Sequence, residues 1–177
     1  MSFKFKAVYQ DTRAALDAEP GQAAATFEAR SRQTDGFRSE VTIRQFTVPV
    51  DEPAALGGSD SAPNPVELVL AALASCQEIT YRLYADALGI PLNGVTVELE
   101  GDIDLRGFFA VDPEVRPGYQ EIVATVTLDS PAPAEDLRRL KETVDTHCPV
   151  LDILRNPVPV SLGLDIRGPA SRDADAA

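Results

Sequence analysis

Apolar residues recur with a period of two in several stretches of this chain and with a helical period in two others. Val41 and Ile43 alternate with Glu40, Thr42 and Arg44, which puts Arg38, Glu40, Thr42 and Arg44 on one face of a strand. Residues 37–50 are rich in Val, Ile, Thr and Phe, and residues 25–32 precede them across the turn formers Thr34, Asp35 and Gly36. The pair predicts a hairpin that continues into another strand. A further strand is expected at residues 3–9, followed by a polar stretch ending in a Pro20-Gly21 turn. Val95, Val97 and Leu99 alternate with Thr96, Glu98 and Glu100, and Ile122, Ala124, Val126 and Leu128 alternate with their neighbours. The cleanest run is Val158, Val160, Leu162, Leu164 and Ile166, with Pro157 and Pro159 setting its start at a sheet edge.

The helical stretch at residues 64–88 carries its own punctuation. Asn64 is a good N-cap, Pro65 fits the first helical position, and Glu67 completes a capping box. Gly89 and Pro91 close it. Leu68, Ala72, Ser75, Ile79 and Leu83 follow helical spacing, but Val69, Leu70 and Leu73 make the other side apolar as well, so the helix is expected to be covered on several sides. A second helix spans residues 133–146, with Leu137, Leu140 and Val144 inward. After it, His147-Cys148-Pro149 reads as a break before a short third helix. Strands, helix, strands, helices and a strand argue for an α+β fold built on antiparallel sheet.

Length, 177 residues, suits a single domain with a core of its own. The expected division is strands in residues 1–50, the main helix at 64–88 and a C-terminal half at 92–167. The tail at 168–177 has nothing to bury and is expected to be disordered. Twenty-eight Asp and Glu against 16 Lys and Arg leave a net charge of -12, which argues against nucleic acid and anionic membrane surfaces as partners. There is no apolar run long enough to span a bilayer and no apolar signal-peptide core at the start, so a cytoplasmic location is expected.

Only two cysteines and one histidine are present, too few for a four-ligand structural zinc site, and no bound cofactor or metal is expected. Cys76 lies within the main helix, where a small buried hydrophobe is the plain reading. Cys148 occupies the N-cap of the short helix, where unpaired N–H groups and the helix dipole favour a thiolate. On local physics alone Cys148 is therefore the better nucleophile, with an ordinary cap residue as its rival. In a cytosolic chain two such cysteines point to a redox pair more than to a structural disulfide, although their spacing leaves proximity to the fold. Tyr81, Tyr84, Phe108 and Phe109 read as core and interface contacts, or as walls of an apolar pocket. Arg155 reads as a charge at a helix C-terminus.

The segment from Leu56 through NPVELVLAALASC, together with HCPVLDILRNPVPV about 70 residues later, resembles the OsmC/Ohr family of osmotically inducible and organic-hydroperoxide-resistance proteins, its broader OsmC-like branch more than Ohr itself. The resemblance covers residues 25–166. It implies an OsmC-like fold, antiparallel sheets around a long central helix, in an intertwined homodimer with two active sites at the subunit interface. It implies a thiol-dependent peroxidase in oxidative-stress defence. Cys76 is then the peroxidatic thiol that takes oxygen from an organic hydroperoxide, and Cys148 resolves the sulfenic acid as an intramolecular disulfide. An external dithiol, a lipoylated protein in Ohr-type members, serves as reductant. The resemblance further implies an activating arginine from the N-terminal strands, for which Arg38 is chosen over Arg32 and Arg44, held by an acid near the helix start. In Ohr that acid directly follows the Pro of the NP motif, where this chain has Val66; Glu67 is one residue later. Nine residues of helix put Glu67 and Cys76 on opposite faces, so Glu67 stands between catalytic support and a helix cap. The rival functional reading is a non-catalytic dimeric module that binds an apolar or thiol ligand.

Overall fold

The computed structural model describes residues 3–166, so the expected tail at 168–177 lies outside the described residues. The first element corrects the sequence reading. Residues 3–9 do not form a strand: helix α1 runs Lys6–Ala18. Phe3, Phe5, Ala7 and Tyr9 alternate, but the alanines at 14, 15 and 18 favour helix over a longer stretch, and propensity summed over that length wins. Tertiary structure finishes the job. The Phe5 N–H at the head of α1 donates to the buried Asp86 carboxylate at 2.8 Å, a cap supplied by another helix.

The N-terminal sheet is a three-stranded antiparallel meander, β1 (Arg30–Asp35), β2 (Arg38–Ile43) and β3 (Phe46–Val50). Gly36 turns the chain between β1 and β2 with φ of +52°, and Arg44 does so between β2 and β3 with φ of +53°. The run of β-formers at 37–50 is thus two strands folded back on each other, Val41 opposite Val48 and Ile43 opposite Phe46. Among the described residues no other element packs substantially against this sheet, and Phe37, Ile43 and Phe46 are exposed.

The loop after β3 is tied down by one carboxylate. Asp51 accepts hydrogen bonds from the N–H and hydroxyl groups of both Ser59 and Ser61, at 2.6 to 3.2 Å. The Ser59 hydroxyl foremost, then the Ser61 and Glu52 N–H groups and the Ser61 hydroxyl, hold its pKa far below the usual carboxylate range. Gly58 lets the loop close: a Cβ there would meet the Glu52 carbonyl oxygen at 1.8 Å. The loop delivers the chain to α2 (Pro65–Leu88), which begins with the expected capping box and ends at Gly89 in the left-handed conformation. Its 24 residues pack against α1 and the elements that follow, β4 (Gly94–Ile103), α4 (Ala134–His147) and α5 (Pro149–Arg155). The buried side carries Leu73, Gln77, Thr80, Tyr81 and Ala85, while Ala72, Ser75 and Ile79 from the predicted stripe stay open to solvent.

β4 pairs antiparallel with β5 (Tyr119–Asp129), the short helix α3 (Leu105–Phe108) lying between them. The core joins Tyr81 and Ala85 of α2 to Ile90 and Leu92 and to Leu140 and Val144 of α4. Residues 157–166 are a second correction. They join no ladder among the described residues, and Val160, Leu162, Leu164 and Ile166 are each more than three-quarters exposed. A strand needs a neighbouring edge for its N–H and C=O groups, and the segment is paired with none of the edges of the two sheets. Among the described residues no helix is long and apolar enough to cross a membrane.

Candidate active site

The two cysteines, 72 positions apart, meet where α2 crosses the junction of α4 and α5. Cys76 is part-buried on α2, and Cys148, 1% exposed, closes α4 and opens α5. The junction forms because the Cys148 N–H completes the last turn of α4 on the Val144 carbonyl, while its own carbonyl accepts the Asp152 N–H of α5. Pro149 at the first position of α5 cannot continue α4, so the chain bends at the cysteine. The bend aims the sulfur inward, and the Cys148 thiol donates to the Cys76 sulfur at 3.3 Å. A disulfide needs about 2.05 Å, so closure requires only about 1.3 Å of approach.

The helix end at Cys148 does not act as local reasoning expects. Cys148 is the cap residue of α5, but its side chain makes no cap hydrogen bond. The first-turn N–H of Val150 is directed instead at the Cys76 sulfur, and the Thr80 hydroxyl, which donates to the Cys76 carbonyl at 2.7 Å, also favours the Cys76 thiolate. Burial outweighs both and, with the neighbouring Cys148, pushes the Cys76 thiol up from its ordinary value. Among the described residues the Cys76 thiolate has donors but no cation.

The other sequence candidates do not join the sulfurs in the single subunit. Arg38 lies exposed at the start of β2, on the sheet that packs on nothing else. Its rivals are engaged: Arg32 pairs with Glu40 at 3.8 Å, and Arg44 sits over the Phe46 ring at 5.2 Å. The Arg38 side chain has no carboxylate partner among the described residues. Glu67 is the cap partner, its carboxylate accepting the Asn64 N–H at 2.8 Å while its own N–H donates to Asn64 Oδ1 at 2.9 Å. Sequence reasoning missed Tyr119, whose hydroxyl donates to the Val66 carbonyl at 2.8 Å and is pushed up by burial and by the Glu67 charge. It ties the start of β5 to the head of α2 at the position where an acid was expected; no sequence spacing signals a contact over 53 residues.

Beside the thiol pair, between β5 and helices α2, α4 and α5, lies a cavity of about 720 Å³. Leu73 and Gln77 flank Cys76 on its wall, and Leu151 follows Cys148 by one helical turn, but neither sulfur lines it. Of the aromatic candidates, Tyr81 reaches this cavity and is pushed up to about 12, chiefly by burial. Tyr84 instead stacks between Tyr9 and His147, and Phe108 and Phe109 pack on each other in the open. Arg155 does end α5 as expected, and it also stands at the cavity.

The fold is similar to several solved structures. The OsmC-like protein from Mycoplasma pneumoniae superposes with a TM-score of 0.66 at 19% identity, over 75% of this chain and 89% of that one. An organic hydroperoxide resistance protein OsmC from Legionella pneumophila gives 0.59 at 22% identity, over 75% and 91% of the two chains. The organic hydroperoxide resistance protein OhrB of Bacillus subtilis gives 0.51 at 20%, over 80% and 98%. No curated protein matches the sequence at a significant level. Residues 58–163, more than half of the chain and including both cysteines, match the OsmC-like protein family, and the chain belongs to that family.

Proposed function

We propose that this protein is a thiol-dependent peroxidase that reduces organic hydroperoxides. The observation that carries the reading is the 3.3 Å approach of the only two sulfurs of cysteine in the chain, one on the main helix and one on a helix junction. The relatives called organic hydroperoxide resistance proteins support the choice of oxidant. The Cys76 thiolate attacks the outer oxygen of ROOH; the S–O bond forms as the O–O bond breaks, and RO⁻ takes up a proton and leaves as ROH. The sulfur of Cys148, as thiolate, then attacks the Cys76 sulfenic acid, giving a disulfide and releasing hydroxide that protonates to water. An external dithiol, such as a lipoylated protein, reduces the disulfide by exchange and restores both thiols.

The assembly proposed for this chemistry is a homodimer. The uncovered β1–β3 sheet, the open side of α2 and the exposed segment 157–166 are three apolar surfaces that a second copy would cover. Arg38 is then presented to Cys76 of the partner subunit, where a guanidinium offsets the burial cost of the thiolate and polarises the peroxide oxygen. Glu67 acts at a distance, by fixing the head of α2.

The test separates the two sulfurs. Cys76→Ser is expected to abolish consumption of tert-butyl hydroperoxide, while Cys148→Ser supports a single turnover and leaves a sulfenic acid that dimedone traps. Undiminished turnover by Cys76→Ser would sink the proposal. The rival binding module predicts that both thiols remain titratable after the peroxide is added.

A further inference from the structure

The cavity beside the thiols has a floor and a rim of opposite character. Ile122, Ala124, Val126 and Leu128 present the same side of β5 to it, every second residue, and Leu137, Leu151 and Leu154 face it from the helices. Its rim carries Arg116, Arg138, Lys141 and Arg155 against two acids, Glu121 and Asp145. Lys141 is already paired with Asp145 on α4. The three arginines have no ion pair among the described residues. In a chain of net charge -12 this is a local reversal of sign, and it surrounds an apolar floor.

We propose that this cavity binds a small organic anion with an apolar tail, a carboxylate of medium chain length, at a site separate from the peroxide. The tail lies along β5 and its charge meets Arg138 and Arg155, with Arg116 opposite. Guanidinium groups grip a carboxylate through two parallel hydrogen bonds, and about 720 Å³ falls within the usual size of small-molecule sites. Charge chooses this occupant over a chain segment. The apolar segment 157–166 carries one charged side chain, Asp165, against three arginines at the rim. Because neither sulfur lines the cavity, the site does not depend on the peroxidase reading.

Titration calorimetry with decanoate and decylamine tests it, on the wild-type protein and on the Cys76→Ser, Cys148→Ser double variant. Decanoate is expected to bind both proteins alike, more weakly as salt rises, and decylamine to bind neither. Arg138→Glu with Arg155→Glu should weaken decanoate binding at least tenfold. Ala124→Trp, which fills the floor without touching the charges, should abolish it. Equal binding of the amine and the acid overturns the proposal, and so does loss of binding in the cysteine variant. Absence of decanoate binding in a dimer whose residues 122–128 resist hydrogen exchange would mean that a second copy covers the floor, and it overturns the proposal too.

Discussion

Burial leaves Cys76 a reluctant nucleophile within one subunit, since desolvation raises its pKa more than the Val150 N–H and the Thr80 hydroxyl lower it. A group shifted this way is a protonated thiol at neutral pH, and its reactivity climbs as pH rises toward that raised value. If Arg38 supplies the missing charge, Arg38→Ala should move the pH midpoint of Cys76 alkylation by iodoacetamide upward, with Cys148 changed to Ser to isolate the signal. An unmoved midpoint would assign the activation elsewhere. Glu67 belongs to a different account. Its bonds to Asn64 are those of a helix cap, so Glu67→Ala should cost about 1 kcal/mol in denaturant unfolding and leave the rate constant with peroxide unchanged. A fall in rate larger than the loss of stability explains would restore Glu67 to the catalytic set.

At the scale of elements, the loop from Asp51 to Asn64 decides where α2 starts and therefore where Cys76 lies. The folded Asp51 carboxyl is depressed below its unfolded value of 3.8, so it adds stability above that pH and loses it as pH falls further. Asp51→Asn should therefore lower the melting temperature at neutral pH, with the difference from wild type shrinking as the solution is acidified through the range below 4. A constant difference across that range would remove the carboxylate from the account. Gly58→Ala tests the same loop by sterics, because backbone, not a flexible side chain, stands where the methyl group would go. It should destabilise the protein by more than the ordinary range of about 0.5 kcal/mol for surface substitutions.

At the scale of the whole molecule, the β1–β3 sheet and the apolar segment 157–166 lie exposed among the described residues, and the proposed homodimer would cover both. Sedimentation should give a dimer, and Leu162→Asp with Leu164→Asp should shift it toward monomer. If the active site takes Cys76 from one chain and Arg38 from the other, mixing inactive Arg38→Ala and Cys76→Ser proteins should recover up to about a quarter of full activity, since half of the dimers are mixed and each holds one intact site. No recovery on mixing would place Arg38 and Cys76 in the same chain.

The sequence by itself determined those features that neighbouring residues decide. The capping box at Asn64 and Glu67, the stop at Gly89, the inward Leu140 and Val144, and the Pro149 break are local signals, and the structure bears each of them out. The motifs around Cys76 and Cys148 were enough to indicate the family, because short conserved-looking segments need no geometry to be read. Tertiary structure alone decided the rest. Helix α1 starts at Lys6, in place of the strand expected at 3–9, with Asp86, 81 positions from Phe5, adding a cap to the propensity of its alanines. The run at 37–50 folded back at Arg44, whose left-handed turn no composition announces. The strand expected at 157–166 pairs with no edge among the described residues, since pairing is a property of two segments and the alternation of one of them cannot announce it. Above all, a first-turn N–H of α5, that of Val150, favours the thiolate of Cys76, while the cap residue Cys148 makes no cap hydrogen bond: a helix end serves whichever sulfur its N–H groups face, and facing is set by packing.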